Sequence, residues 1–312
     1  MNLQIRSLIL LIVFTTLGIG CSDKKQKVKK ATEVKTEKKI TSQGTSGVIK
    51  TDSVLSGDVT LFFHEKGIGD PIVLLPGGSL DSHYLIPLAD SLVQKGYHVV
   101  RIDPRGTGKS TGPATPVTMH DLGKDVHLVL EKLNLNKVSI AGHAFGNRIA
   151  RVVANDYPDK IEHIILLSAG GVVEPKDEAL KALQTLFTPT ATNEEIKQSM
   201  TYFVGDTSYI DYCWDYLKKS RSPKAAGIQA LAMQSTPISD WSAPKGNAPF
   251  IIIQGTNDQI APPENGELIK EQFPERSTMI YIDGAGHGLV LERTAEIANA
   301  MDGALPREEK TK

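Results

Sequence analysis

The segment Gly-His-Ala-Phe-Gly at 142–146 has the spacing of a G-x-S-x-G nucleophile turn, but alanine stands where the serine belongs. A β-rich run over 138–141 precedes the turn, and a helical pattern over 147–157 follows it. The small residues are needed there because the turn is strained and the helix passes close to the strand. A serine at this position could attack a carbonyl carbon, whereas the methyl group of Ala144 cannot. The sequence therefore predicts a site built for acyl chemistry that lacks its hydroxyl group.

Alternating strand and helix patterns surround this turn, as a mostly parallel sheet requires. The alternation stops at about 172–246, where the spacing becomes helical and eight of the eighteen aromatic residues lie. An antiparallel pair of strands, 46–51 and 58–66, is predicted to open the domain. Further strands are predicted at 72–76, 98–102, 137–142, 161–168, 249–254 and 278–282, and helices at 82–95, 119–134, 144–156, 264–273 and 290–303.

Four more motifs flank the turn in a fixed order. Leu-Leu-Pro-Gly-Gly-Ser at 74–79 and Asp-Pro-Arg-Gly-Thr-Gly-Lys-Ser at 103–110 precede it, whereas Ile-Ile-Ile-Gln-Gly-Thr-Asn-Asp at 251–258 and Gly-Ala-Gly-His at 284–287 follow it. With the turn, these motifs resemble the α/β-hydrolase superfamily, in the branch of small esterases, lactonases, haloperoxidase-like proteins and C–C-bond hydrolases. The resemblance covers residues 45–303. It implies a mostly parallel eight-stranded sheet flanked by helices, with residues 172–246 as a helical cap over the site.

The resemblance also implies roles for individual residues. In this superfamily the chain order is nucleophile, acid, histidine, and Ala144, Asp258 and His287 occupy those positions. His287 would be the base, and Asp258 would orient its imidazole and stabilise the charged form. The backbone amides of Gly78 and Phe145 would form the oxyanion hole.

Two further residues near these motifs are expected to be structural. His143 lies within the turn but precedes the nucleophile position, so it should point away from the substrate. Cys213 lies far from any predicted strand end, which favours packing over a role as replacement nucleophile.

Three interpretations of Ala144 stay open. The chain could be an engineered Ser→Ala trap of a serine hydrolase, although it keeps an export signal that such a variant would normally lose. It could be an enzyme in which His287 activates water or deprotonates a substrate directly, as a hydrolase or a cofactor-free lyase or oxygenase. It could also be a non-catalytic ligand-binding pseudohydrolase. The intact acid–base pair favours an enzyme that acts on a small, mostly apolar ester, lactone or related carbonyl compound.

The N-terminal region has the pattern of a targeting segment. Residues 1–21 join a positive Arg6 to an apolar run and end in Leu-Gly-Ile-Gly-Cys, which resembles a bacterial lipobox except that the leucine stands four residues before Cys21. Residues 22–44 form a lysine-rich stretch predicted to be a disordered tether, and 304–312 a charged tail. These features predict a protein of the bacterial cell envelope, lipid-anchored through Cys21 or, after ordinary secretory cleavage, periplasmic.

Charge and motif spacing exclude several functional classes. Residues 1–39 carry a net charge of +6 and the remainder −7, which argues against a nucleic-acid surface on the folded domain. The eight histidines show no metal-binding spacing, and no dinucleotide-binding fingerprint opens a helix. We therefore predict no metal and no organic cofactor. The expected partners are a small-molecule substrate and, through the anchor, a lipid membrane, with no obligate protein partner implied.

Overall fold

The computed structural model describes residues 47–306, so the predicted signal peptide with Cys21, the tether and most of the charged tail lie outside the described residues. Eight strands form one sheet in the order β1-β2-β4-β3-β5-β6-β7-β8. The β1–β2 and β2–β4 pairs are antiparallel and all other neighbours are parallel, which confirms the predicted α/β-hydrolase fold. The strands are β1 (Lys50–Ser56), β2 (Val59–Lys66), β3 (Pro71–Leu75), β4 (His98–Ile102), β5 (Val138–His143), β6 (Ile161–Leu167), β7 (Phe250–Gly255) and β8 (Ser277–Ile282).

The central strands are buried on both faces because helices cover both sides of the sheet. Along β3, Ile72 and Leu74 point into one apolar core, and Val73 and Leu75 point into the other. This explains the continuous apolar runs of the parallel strands. Each fully buried side chain of this size contributes about 1.5–3 kcal/mol to stability relative to exposure.

Ten α-helices pack around the sheet in the described part of the chain. Side chains of α1, α9 and α10 enter the first core, and those of α2, α3 and α8 enter the second. Helices α4 to α7 lie between β6 and β7, in the segment predicted to be the cap. None of the helices in residues 47–306 is long and apolar enough to span a bilayer. The helices are α1 (Ile86–Gln94), α2 (Met119–Lys132), α3 (Phe145–Asp156), α4 (Asp177–Phe187), α5 (Asn193–Phe203), α6 (Ile210–Ser220), α7 (Pro223–Gln234), α8 (Glu264–Gln272), α9 (Leu289–Glu292) and α10 (Thr294–Ala304).

The first strand was predicted at 46–51, but β1 spans Lys50–Ser56. A two-residue turn sets its register: Ser56 pairs with Val59, and Gly57 between them has a φ of 59°. Only glycine adopts this left-handed conformation without strain. Strand β1 lies at the edge of the sheet and is partly exposed, so its apolar pattern is weak.

Candidate active site

The turn between β5 and α3 adopts the strained geometry that its glycines allow. Ala144 has φ 49° and ψ −113°, a conformation that costs a residue other than glycine about 1–3 kcal/mol. A Cβ atom on Gly146 would lie 2.5 Å from the carbonyl oxygen of Leu75, so only glycine lets α3 approach β3 this closely. Ala144 itself is partly exposed. The backbone of the nucleophile turn is therefore formed, and its Cβ is a methyl group that carries no hydroxyl.

Asp258 and His287 form a buried pair at the ends of neighbouring strands. Nδ1 of His287 lies 3.1 and 3.2 Å from the two carboxylate oxygens of Asp258. The backbone N–H groups of Ile260 and Ala261 donate to Oδ1 of Asp258 at 3.0 and 2.7 Å, which holds the carboxylate in place. Nε2 of His287 makes no hydrogen bond to residues 47–306. This is the arrangement of a base with its orienting acid.

The ring of His287 is enclosed by aromatic side chains. Phe203, the last residue of α5, meets it edge-on with ring centroids 5.4 Å apart. The ring of His143 lies on another side at 5.1 Å. Phe203 is thus the cap aromatic that contacts the predicted base. The sequence shows that the cap is rich in aromatic residues, but it does not indicate which of them makes this contact.

A chain of hydrogen bonds through His143 joins three loops of the site. The N–H of Gly77 donates to the hydroxyl of Tyr84 at 2.7 Å, and that hydroxyl donates to Nδ1 of His143 at 2.8 Å. Nε2 of His143 then donates to the backbone carbonyl of His287 at 2.9 Å. Burial, aided by the nearby His287, lowers the pKa of His143 to about 3, so its ring stays neutral and keeps one donor and one acceptor. His143 therefore has a structural position, with neither ring nitrogen free.

Two backbone amides are available for the predicted oxyanion hole, one in the loop at 74–79 and one in the nucleophile turn. Tyr84 accepts the N–H of Gly77, and Oε1 of Gln229, from α7, accepts the N–H of Ser79 at 2.9 Å. Between them, the N–H of Gly78 has no acceptor among the described residues, and neither has that of Phe145. The two residues adjoin, since a Cβ on Gly78 would lie 3.5 Å from Cβ of Phe145.

A buried carboxylate connects the cap with the histidine loop. Glu292, 3% exposed, accepts the backbone N–H of Gly205 at 2.9 and 3.0 Å and that of Asp206 at 3.3 Å. It also accepts the N–H of Gly286, the residue before His287. The position of the base therefore depends on contacts with the end of α5.

Two other nucleophilic side chains, those of Ser168 and Cys213, are hydrogen-bonded or buried. Ser168 is fully buried and its hydroxyl donates to the carbonyl of His287 at 3.3 Å. Cys213 is fully buried in α6, and burial raises the pKa of its thiol. In residues 47–306 no three His, Cys, Asp or Glu side chains converge as metal ligands do.

The structure thus brings the predicted residues 144, 258 and 287 and the two predicted amides to the carboxyl edge of one sheet, with Cys21 outside the described residues. Sequence reasoning missed Tyr84, Gln229 and Glu292. Each makes a contact between segments 59 to 150 residues apart along the chain, for which no local motif exists.

A family model described as serine aminopeptidase, S33, matches residues 70–294. The chain belongs to this family of α/β-hydrolases. The match spans all five motifs of the predicted site.

Individual relatives agree with the family. Lipase 3 of Moraxella sp. is 25% identical over 269 residues, which cover 80% of this chain and 82% of that protein. The (E)-2-((N-methylformamido)methylene)succinate hydrolase of Acinetobacter baylyi is 24% identical over 254 residues, covering 79% and 94%. A thermophilic esterase from Thermogutta terrifontis, solved with malate bound, superposes with a TM-score of 0.68 at 20% identity, covering 81% and 97%. The chain and its relatives therefore share the α/β-hydrolase fold.

Proposed function

We propose that this protein hydrolyses a small ester, lactone or related carbonyl compound without a serine nucleophile. One observation carries the proposal: the buried Asp258–His287 pair is intact and oriented, with Nε2 of His287 free, beside a nucleophile turn that lacks only a hydroxyl. A protein that merely binds a ligand has no need for a base held by an acid. The missing hydroxyl is the one feature that favours the alternative, a non-catalytic binding protein.

The proposed reaction uses water in place of the serine. Neutral His287 removes a proton from a water molecule next to Ala144, and the water oxygen attacks the carbonyl carbon. The resulting oxyanion receives hydrogen bonds from the amides of Gly78 and Phe145. The C–O bond to the leaving group then breaks, and His287 returns its proton to the departing alkoxide. The products are a carboxylic acid and an alcohol, or one hydroxy acid from a lactone, while Asp258 stabilises the imidazolium between the two proton transfers.

The substrate class follows from the surroundings of the base. The ring of Phe203 and the neighbouring cap provide an apolar wall, which favours a small and mostly apolar acyl group. The relatives, a lipase and a hydrolase of a substituted succinate, support a carbonyl substrate of the ester or related type.

Direct attack by water predicts turnover without a covalent intermediate. The unmodified chain should hydrolyse p-nitrophenyl acetate and δ-valerolactone with a linear time course and no initial burst. Intact-protein mass spectrometry during turnover should show the unmodified mass only. An acyl adduct on any residue would contradict the mechanism, and the absence of turnover across ester and lactone panels would favour the binding protein.

We also propose that the protein is exported and held at a membrane of the bacterial envelope by a lipid on Cys21. The support is the lipobox-like sequence at 17–21, since an attached acyl chain adds about 0.8 kcal/mol of membrane binding per buried CH₂. In a bacterium with lipoprotein processing, the protein should incorporate labelled fatty acid and enter the detergent phase, and Cys21→Ser should abolish both. Recovery of a soluble protein whose N-terminus lies beyond residue 21 would contradict the anchor.

A further inference from the structure

Two arginines on α3 form no ion pair with a carboxylate of the described residues. Within residues 47–306, neither Arg148 nor Arg151 has an acidic oxygen within 4.0 Å, in contrast to Arg105, which is paired with Asp125. Arg151 is 3% exposed. A buried and unpaired guanidinium is costly, so its position calls for an explanation.

The hydrogen bonds of these arginines leave donors unused. Nη2 of Arg151 donates to Oδ1 of Asn147 at 2.8 Å and to the carbonyl of Gly170 at 3.1 Å, but its buried Nε has no acceptor in the described part of the chain. Nη1 of Arg148 meets only the sulfur of Met233, at 3.2 Å, which is a weak acceptor. The site therefore has a surplus of donors.

The indole of Trp241 completes this cluster. The guanidinium carbons of Arg151 and Arg148 lie 4.7 and 5.7 Å from the centroid of its ring. Trp241 is 1% exposed, and its Nε1 is a further buried donor without an acceptor in residues 47–306. Burial, aided by the charge of Arg148, lowers the pKa of Arg151 to about 9, which still leaves Arg151 charged at neutral pH. Positive charge and unused donors together fit an anion.

The cluster lies near the loop that carries Asp258. Long side chains on a helix lean toward its N-terminus, which for α3 is the nucleophile turn. Gly170 lies between Arg148 and Ala261, since a Cβ on Gly170 would be in van der Waals contact with Cβ of Ala261 at 3.9 Å and with Nη2 of Arg148 at 4.0 Å. The N–H of Ala261 donates to Asp258, which places Arg148 near the loop that carries the acid.

We propose that Arg148, supported by Arg151 and Trp241, binds a carboxylate group of the substrate. This inference rests on the proposed function and narrows its substrate class to esters or lactones that carry a free carboxylate, such as half-esters of dicarboxylic acids. The planar guanidinium matches a carboxylate with two parallel hydrogen bonds. The exposed Glu174 also attracts Arg148, but from beyond ion-pair distance, so a bound carboxylate would be the nearer counter-charge.

The test uses binding, which does not require turnover. The chain has two tryptophans, so Trp214→Phe leaves Trp241 as the sole tryptophan, and its emission can be excited selectively over that of the tyrosines. Titration of this protein with monomethyl glutarate should change the Trp241 emission in a saturable way, and dimethyl glutarate should bind at least about tenfold more weakly. Inorganic phosphate should also bind more weakly than the monoester, and the reverse order would overturn the carboxylate assignment.

Matched variants separate this site from general charge effects. Arg148→Gln should weaken monomethyl glutarate binding about tenfold or more, and Arg148→Lys, which keeps the charge, should weaken it less. Arg221→Gln is the control, since Arg221 lies over a tryptophan of the cap in a similar way, at 5.5 Å from the ring centroid of Trp214, and should not change the affinity. Equal affinity for the dimethyl ester, or equal effects of the two glutamine variants, would overturn the proposal. Hydrolysis of neutral esters tests the proposed function independently of these results.

Discussion

Replacing Ala144 with serine should raise kcat/KM for p-nitrophenyl butyrate about 10³-fold or more over the unmodified chain. The reason is that the turn geometry, the free Nε2 of His287 and the two available amides are already in place. A serine at 144 would keep the φ of 49° that the backbone now holds, because the change adds one oxygen to the existing Cβ. The measurement is the initial rate of nitrophenolate release by purified proteins at equal concentration.

The control for this prediction is the double variant Ala144→Ser/His287→Gln, which supplies the hydroxyl without the base. It should lose most of the gain, since a serine hydroxyl is a weak nucleophile at neutral pH without an adjacent base. A fluorophosphonate probe should label Ala144→Ser and should not label the unmodified chain at 144. A folded Ala144→Ser protein with neither turnover nor labelling would mean that the base or the amides are misplaced.

His143→Gln should change how stability depends on pH. Burial lowers the pKa of His143 from 6.5 to about 3, so between these values the unfolded chain binds a proton that the folded chain does not. The unmodified protein therefore loses about 1.4 kcal/mol of unfolding free energy through this group for each pH unit below 6.5, or about 3 kcal/mol by pH 4. Glutamine does not titrate, so the variant lacks this loss.

The comparison is made by urea unfolding of both proteins from pH 7.5 to pH 4. At pH 7.5 the variant should have a lower free energy of unfolding, because the substitution removes the His143 link from the chain of hydrogen bonds that includes Gly77 and Tyr84. The difference should shrink or reverse toward pH 4. His120→Gln is the control with the opposite sign: its hydrogen bond to Asp156 raises the pKa of His120, so its stabilisation is lost as pH rises. A difference between His143→Gln and the unmodified chain that is constant with pH would contradict the buried, neutral His143.

The sequence predicted the parts of the site that have a local signature. The nucleophile turn is recognisable because Gly142 and Gly146 are both required by close backbone contacts, Gly142 within the strand–turn–helix unit and Gly146 against the end of β3. The acid and base follow strands in their own motifs. Strand positions in the buried centre were likewise predictable, because residues covered on both faces are continuously apolar.

The contacts of the site that the sequence did not predict depend on packing between segments far apart along the chain. Gln229 reaches Ser79 across 150 residues, and Tyr84 reaches His143 across 59. The sequence does not show that Arg148 and Arg151 lack an ion-pair partner. Only the fold shows that no carboxylate oxygen of the described residues lies within 4.0 Å of either side chain. The edge strand β1 was misplaced for a related reason, since an exposed strand carries little apolar pattern.

The most direct test of the central claim compares the unmodified chain with His287→Gln on the same neutral ester. If His287 activates water without a serine, the variant should lose about 10²-fold or more of the rate. His120→Gln, prepared in the same way, should keep the full rate and controls for a contaminating esterase, since His120 pairs with Asp156 away from the site. Equal rates for the unmodified chain and His287→Gln would contradict catalysis by the Asp258–His287 pair.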